Sequence, residues 1–235
     1  MEWRERDGVR WLEAELDGAG AAFSTRLGGV SEPPFDSLNL GLLTEDEEEA
    51  VKENRRRFAI ALGLTPDQVV FARQVHGTDL VEHPLGKGVP EADGHVVRTP
   101  GTAPLIFVAD CLPVALSGPR GVAMVHAGWR GLAGGILAGG AEAVGATSAA
   151  IGPGIGPCCY EVGEEVLGAF SGLEGVAKGR MLDLPEVARQ LLARAGVEQV
   201  ESACLCTSCE EELFFSHRRD RGRTGRQAGI AWVED

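Results

Sequence analysis

The chain has 235 residues, 44% hydrophobic and 24% charged, which excludes fibrous and disordered classes and suffices for one large buried core. Thirty-five acidic against 22 basic side chains leave a formal charge of -13, a field that repels nucleic acid and anionic lipid and leaves small anions as ligands of local pockets. No apolar run approaches the ~20 residues of a membrane span, and Met1 to Gly8 lacks the apolar segment of a secretory signal, so the expected compartment is the cytoplasm.

The absence of repeats, low-complexity tracts and polar linkers predicts a single domain over residues 1–235. Val9 to Phe23 reads as two strands around a turn at Asp17-Gly18, followed by glycine- and proline-rich loop chemistry from Ser24 to Pro34. Thr44, with Glu47 three residues on, predicts the capped start of a helix whose apolar face is Val51, Phe58, Ala61 and Leu62. Short apolar runs then predict buried strands at Val69–Phe71, Gly94–Val97, Leu105–Ala109 and Val122–Val125. A helix from Arg130 to about Val144, a strand at Ala149–Ile151, helices over Glu161–Phe170 and Leu184–Ala195, and a closing strand at Gly229–Val233 complete an α/β layered pattern with mixed sheets.

Three borderline or soft metal ligands stand just beyond these strands: His76, Cys111 and His126. Two imidazoles and one thiolate suit zinc with an open fourth position. Such a centre carries a net positive charge that polarises an oxyanion or acidifies water. The 34 and 14 intervening residues are too long for a local metal signature, so two other arrangements stay open. Cys111 and His126 also read as a thiol nucleophile and its base. Alternatively, all three are strand-end residues satisfied by the fold. The remaining cysteines read by default as buried thiols: Cys204, Cys206 and Cys209 resemble a metal clip but offer three thiols without a fourth nearby, and the vicinal Cys158 and Cys159, which could add a ligand or form a redox pair, point apart on an extended chain.

For anion contacts, the strand-to-helix transition after His126 offers Arg130 and helix N–H groups, and Arg26 lies in a glycine-rich loop. The loop from Gly152 to Pro157 has no phosphate-loop lysine and reads as a tight turn. Phe214 to Arg226 holds five arginines, suited to a solvated loop with internal ion pairs or to a clamp on a small phosphate.

These segments together resemble the YfiH family of laccase-domain proteins, also described as multicopper polyphenol oxidoreductases. The resemblance runs through Phe23–Ser31, Ser37–Gly41, Glu53–Arg56, Gln74–Gly77, Ala92-Asp93, Ala109–Val114, Val125–Gly131, Ile151–Gly163 and Phe214–Asp220. It implies a four-layer αββα sandwich with mixed β-sheets, and a single zinc, with copper as the alternative, held by His76, Cys111 and His126. It further implies phosphorolysis of adenosine, inosine and methylthioadenosine, with adenosine deamination as a second activity. Laccase chemistry requires more histidines than the five present. On this reading Cys111, His126, Asp110 and Arg130 carry catalysis, while Arg26, Asn39, Gln74 and Arg130 meet nucleoside and phosphate. Asp110 is the leading carboxylate for proton transfer, with Asp93 and Glu161 behind it. Neither a nucleic acid nor a membrane is an expected partner, and a monomer or a small homo-oligomer are equally open.

Overall fold

The structure, a computed structural model, describes residues 1–84 and 88–234. Strands β1 (Glu2–Arg6), β2 (Val9–Leu16) and β3 (Ala19–Ser24) form an antiparallel meander whose first strand, exposed throughout and mostly charged, carries no apolar alternation that could announce it. In β2 the alternation is strict. Val9 and Trp11 face one side, and Leu12 and Ala14 face the other.

Helix α1 (Glu48–Ala61) follows, and its N-cap is Glu47 rather than Thr44. Thr44 is occupied elsewhere, its hydroxyl donating to the Gly41 carbonyl at 2.8 Å and accepting from the Asn39 amide at 2.9 Å. Short strands β4 (Val69–Val70) and β5 (Leu80–Glu82) precede β6 (Gly94–Val97) and β7 (Ala103–Val108). A long hairpin of β8 (Leu112–Gly118) and β9 (Gly121–Ala127) comes next. The helix expected from Arg130 to Val144 is two helices, α2 (Trp129–Gly134) and α3 (Ile136–Val144). Between them Gly135 sits at φ 92°, a left-handed conformation that ends the first helix and that glycine adopts without a Cβ clash.

After β10 (Ser148–Ile151), the helix expected over Glu161–Phe170 is confined to α4 (Glu164–Ala169), because Glu161 is drawn into a bridge with Met181 and the Val162 N–H donates to Arg180. The ribbon β11 (Ala177–Lys178) and β12 (Met181–Leu182), helix α5 (Leu184–Arg194) and strands β13 (Gln199–Ser202) and β14 (Gln227–Val233) finish the chain. Asp183 caps α5 by accepting the Glu186 N–H at 3.0 Å.

Two six-stranded sheets result, ordered β1-β2-β3-β14-β7-β4 and β13-β10-β8-β9-β6-β5. Both are mixed, with parallel pairs β4·β7, β5·β6 and β10·β13. Three apolar clusters separate four layers. Phe58 of α1 packs with Trp11, Leu38, Leu40 and Ile230 on the outer face of the first sheet. Leu12, Phe23 and Ile106 meet Ala115, Met124 and Ala150 between the sheets. Leu116, Val125 and Ile151 meet Leu137, Val144 and Leu192 under α3 and α5. Burial of each large side chain contributes about 1.5–3 kcal/mol. The sheets approach closely where Gly229 faces the hairpin, since a Cβ there would lie 2.2 Å from Met124 Cε. The αββα layering and the mixed sheets match the expectation. Among the described residues no helix is long and apolar enough to cross a membrane.

Candidate metal centre

The alternation of the β8–β9 hairpin decides where its ends point. Val122 and Met124 face the layer between the sheets, whereas Ala123, Val125 and Ala127 face the helices. His126 belongs to the first set. On the partner strand, Leu112, Val114 and Leu116 face the helices, so Cys111 also joins the inter-sheet layer. Because Leu112 pairs with Ala127 and Pro113 with His126, the thiol and the imidazole meet at the open end of the hairpin.

Two non-glycine residues in the left-handed region aim the remaining groups. Asp110 has φ 87°, and its carboxylate is anchored by the Thr207 hydroxyl and the Arg218 N–H, both at 2.7 Å. His76 has φ 61° and is held by Asp93. Asp93 is fully buried and accepts four hydrogen bonds: from the N–H groups of Val75, His76 and Gly77 at 3.0, 3.0 and 2.7 Å, and from His126 Nδ1 at 2.7 Å. A carboxylate only accepts, so His126 Nδ1 carries a proton, and Nε2 is the nitrogen that faces the other candidate ligands and would meet a metal in exchange for its own proton. On the sequence alone Asp93 is a secondary candidate for proton transfer. Its observed place behind two of the candidate ligands is the arrangement typical of metal-bound histidine.

The ligand atoms of His76, Cys111 and His126 all lie within 4.8 Å of one another, and the two imidazole rings stand edge to face at 4.7 Å. Space is kept open beside them by Gly128, where an added Cβ would stand 3.0 Å from Cys111 Sγ and 3.6 Å from His76 Cδ2. Burial opposes ionisation of Cys111, yet the charge and hydrogen bond of His126, with those of His76, draw its thiol down to about 6. Burial likewise opposes a charged His126, but the Cys111 thiolate and the Asp93 carboxylate lift it to about 9. Asp93 itself is disfavoured by burial and still held down to about 2 by His126 and the backbone N–H groups. Two imidazoles, a ready thiolate, a ring oriented by Asp93 and a cradle kept clear by glycine fit a three-ligand metal site.

This donor set lies in the wall of a cavity of about 760 Å³, within the range of small-ligand sites. Arg55 enters it sandwiched between Phe71 and Phe107 at 4.6 and 4.5 Å, with Nε donating to the Leu40 carbonyl. Burial lowers its pKa only to about 10, so it stays cationic. Arg226 also lines the cavity, braced by bonds from one Nη to the Thr224 and Gly225 carbonyls. Tyr160 and Arg218 form another wall, with the guanidinium 5.3 Å from the ring.

Of the residues chosen from sequence for substrate contact, the structure brings only Gln74 to the cavity, and its amide is spent on the Phe107 backbone, donating to O and accepting from N, both at 2.8 Å. Asn39 is fully buried and spans the Thr44, Asp46, Gly41 and Arg226 groups. Arg26 is bound to Asp36 and to the Glu211 carbonyl and stacks on Phe215 at 4.7 Å. Arg130 is exposed and lies over Trp129 at 4.5 Å, outside the cavity lining, and α2 behind it is only six residues long. The Gly152–Pro157 loop spends its N–H groups at Gly152, Gly154 and Ile155 on backbone carbonyls. Arg55 and Arg226 were not singled out individually by sequence reasoning. Phe71 and Phe107, which frame Arg55, are apolar residues at strand ends that reveal nothing until the strands are placed.

The sequence model described as multi-copper polyphenol oxidoreductase laccase matches residues 20–234. A curated relative in Escherichia coli K12, purine nucleoside phosphorylase YfiH, is 42% identical over 92% of this chain and 94% of its own. Purine nucleoside phosphorylase YlmD of Geobacillus stearothermophilus is 39% identical over 89% and 88%. The crystal structure of Bacillus licheniformis hypothetical protein YfiH superposes with a TM-score of 0.88 at 36% identity, covering 99% of both chains. Neisseria meningitidis protein NMB0706 superposes with a TM-score of 0.86 at 38% identity, over 96% of this chain and 99% of that one. With the fold and the length of the match in agreement, the chain belongs to the YfiH family of laccase-like, multi-copper polyphenol oxidoreductase domain proteins.

Proposed function

We propose that this chain is a zinc-dependent purine nucleoside phosphorylase of the cytoplasm, acting on adenosine, inosine and methylthioadenosine. The observation that carries the reading is the meeting, in one cavity, of the His76–Cys111–His126 donor set with the cationic forks of Arg55 and Arg226. The names of the E. coli and G. stearothermophilus relatives support it. Zinc bound there supplies a Lewis acid with an open position; copper is the alternative occupant of the same donors. Among the described residues the groupings able to hold a metal are this set and a cluster of four cysteines, so the histidines needed for several copper centres are lacking.

In phosphorolysis a phosphate oxygen attacks the anomeric carbon and the bond to the purine nitrogen breaks, with its electron pair leaving on the base. Arg55 and Arg226 orient the phosphate and neutralise its charge. Leu43 and Val89, exposed large apolar residues at the cavity, are covered by the nucleoside when it binds. Burial and the nearby Cys111 charge raise the Tyr160 phenol to about 12, which keeps it a hydrogen-bond donor for the departing purine. Adenosine deamination is the second activity in this reading. Both Asp110 oxygens already hold a donor, which favours a positioning role for it there.

The test is phosphate-dependent release of base from the three nucleosides, before and after chelation and after zinc or copper is restored. Base release that follows both phosphate and metal supports the proposal. Metal-loaded protein that releases no base overturns it. The Cys111–His126–Asp93 alignment also favours one other reading, a thiol hydrolase, which full amidase activity after chelation would establish.

A further inference from the structure

Four cysteines outside the cavity come together from two loops. Gly156 to Tyr160 forms a tight turn in which the N–H groups of Cys159 and Tyr160 both donate to the Gly156 carbonyl, at 3.0 and 3.1 Å. That turn brings the vicinal Cys158 and Cys159 side chains round to a common partner, in contrast to the divergence expected on an extended chain. Cys206-Thr207-Ser208-Cys209 forms a second turn, with the N–H groups of Cys209 and Glu210 donating to the Cys206 carbonyl at 3.1 and 3.0 Å. The turns are joined by a bridge between Gly154 and Cys206, and the Gly156 N–H donates to Cys206 Sγ at 3.2 Å. Cys209 Sγ lies 3.3 Å from Cys158 Sγ and 3.4 Å from Cys159 Sγ, and all four sulfurs are within 4.8 Å of one another. Tetrahedral zinc with Zn–S bonds of about 2.3 Å sets sulfurs about 3.8 Å apart. The two short separations lie slightly inside that spacing, and the 4.8 Å limit on every pair admits it.

We propose that Cys158, Cys159, Cys206 and Cys209 form a second, structural metal site that takes zinc as a tetrathiolate, independent of the His76–Cys111–His126 set. The site would staple one wall of the cavity. Tyr160, next to Cys159, lines that cavity, and Thr207, inside the Cys206–Cys209 turn, donates to the Asp110 carboxylate.

The full chain is produced in zinc-supplemented medium, purified anaerobically without chelator, and assayed for metal per chain beside Cys111→Ser and Cys209→Ser. Cys111→Ser is expected to keep roughly one zinc, whose cobalt substitute shows the visible bands of a sulfur-only tetrahedral centre. Cys209→Ser is expected to lose that ion. Should a serine variant fail to fold, X-ray absorption of wild-type zinc protein decides, since the proposal requires a sulfur-rich average shell and a single two-histidine site does not. Zinc lost in Cys111→Ser, unchanged in Cys209→Ser and lacking a sulfur-only component overturns the proposal while leaving the phosphorylase reading intact. A Cys158–Cys209 disulfide in the anaerobically prepared protein also overturns it, making the cluster a redox pair. The converse, zinc lost only in Cys209→Ser, supports this site and removes the catalytic one.

Discussion

Replacing Asp93 by Asn is the sharpest test of how the candidate metal centre is held. Each carboxylate oxygen accepts two donors, Oδ1 from His76 N–H and His126 Nδ1 and Oδ2 from Val75 and Gly77 N–H. Whichever way the amide turns, its NH₂ faces two donors. At about 1.5–3 kcal/mol for each bond to a charged group, the loss is about 3–6 kcal/mol. For a chain of this size that lowers Tm by about 6 to 24 °C. If NH₂ faces the imidazole, His126 moves its proton to Nε2 and presents N–H where a metal would bind, so zinc affinity falls by about 10- to 100-fold. Thermal unfolding of the metal-free protein reads the first effect, and competition with a chromogenic chelator reads the second. A Tm within about 2 °C of wild type, together with unchanged zinc affinity, would show that Asp93 does not organise the site.

Gly128→Ala is expected to weaken zinc binding while leaving helix content unchanged: φ -75° suits any residue, but the new Cβ meets Cys111 Sγ at 3.0 Å; equilibrium dialysis against zinc and circular dichroism separate the two. Arg55→Lys keeps the charge but loses the fork and the stack between Phe71 and Phe107, so KM for phosphate should rise about 10-fold or more, as read by phosphate-dependent initial rates. Arg26→Ala, by contrast, should lower stability with little change in that KM, because its guanidinium is committed to Asp36 and Glu211; a large KM effect would return it to the phosphate site. His95, fully buried, is held down to about 3, first by burial and then by the His83 charge. The unfolded chain therefore binds the extra proton, so stability is full above about pH 6.5 and falls toward about pH 3, by about 2 kcal/mol between pH 6.5 and 5; urea unfolding of wild type and His95→Phe measures it, and the variant's curve should be flatter.

The layer pattern was readable from sequence because it depends on hydrophobic period. Val122 to Val125 and Ala149 to Ile151 are buried on both faces and read as continuous apolar runs, and both are strands. Strand β8 is not legible in the sequence: Pro113 stands near its start, where a proline argues against a central strand, although its carbonyl still accepts from Gly152. The start of α1 was misplaced for a related reason. Thr44 carries the composition of a cap, but a hydroxyl competes for many partners, and here Asn39 and Gly41 took it. Local propensity cannot report which long-range partner wins.

The candidate metal ligands show the same division between local and distant information. Their types were evident, but the 14 residues between Cys111 and His126 follow no coordination rule. The spacing instead records a hairpin: the seven residues of β8 going up, Pro119 and Arg120 at the tip, and the five residues Gly121–Val125 of β9 coming down to His126. Coordination requires only that both strand ends lie in register and that both side chains face the inter-sheet layer. An insertion at the tip preserves that condition, whereas a one-residue deletion within either strand turns a ligand to the helical face. His76 obeys no such spacing because Asp93, placed at the start of β6 beside β9, captures its loop through three N–H groups. The candidate centre is thus specified by a hairpin register and one buried carboxylate, and the ligand spacing along the chain measures the length of a hairpin.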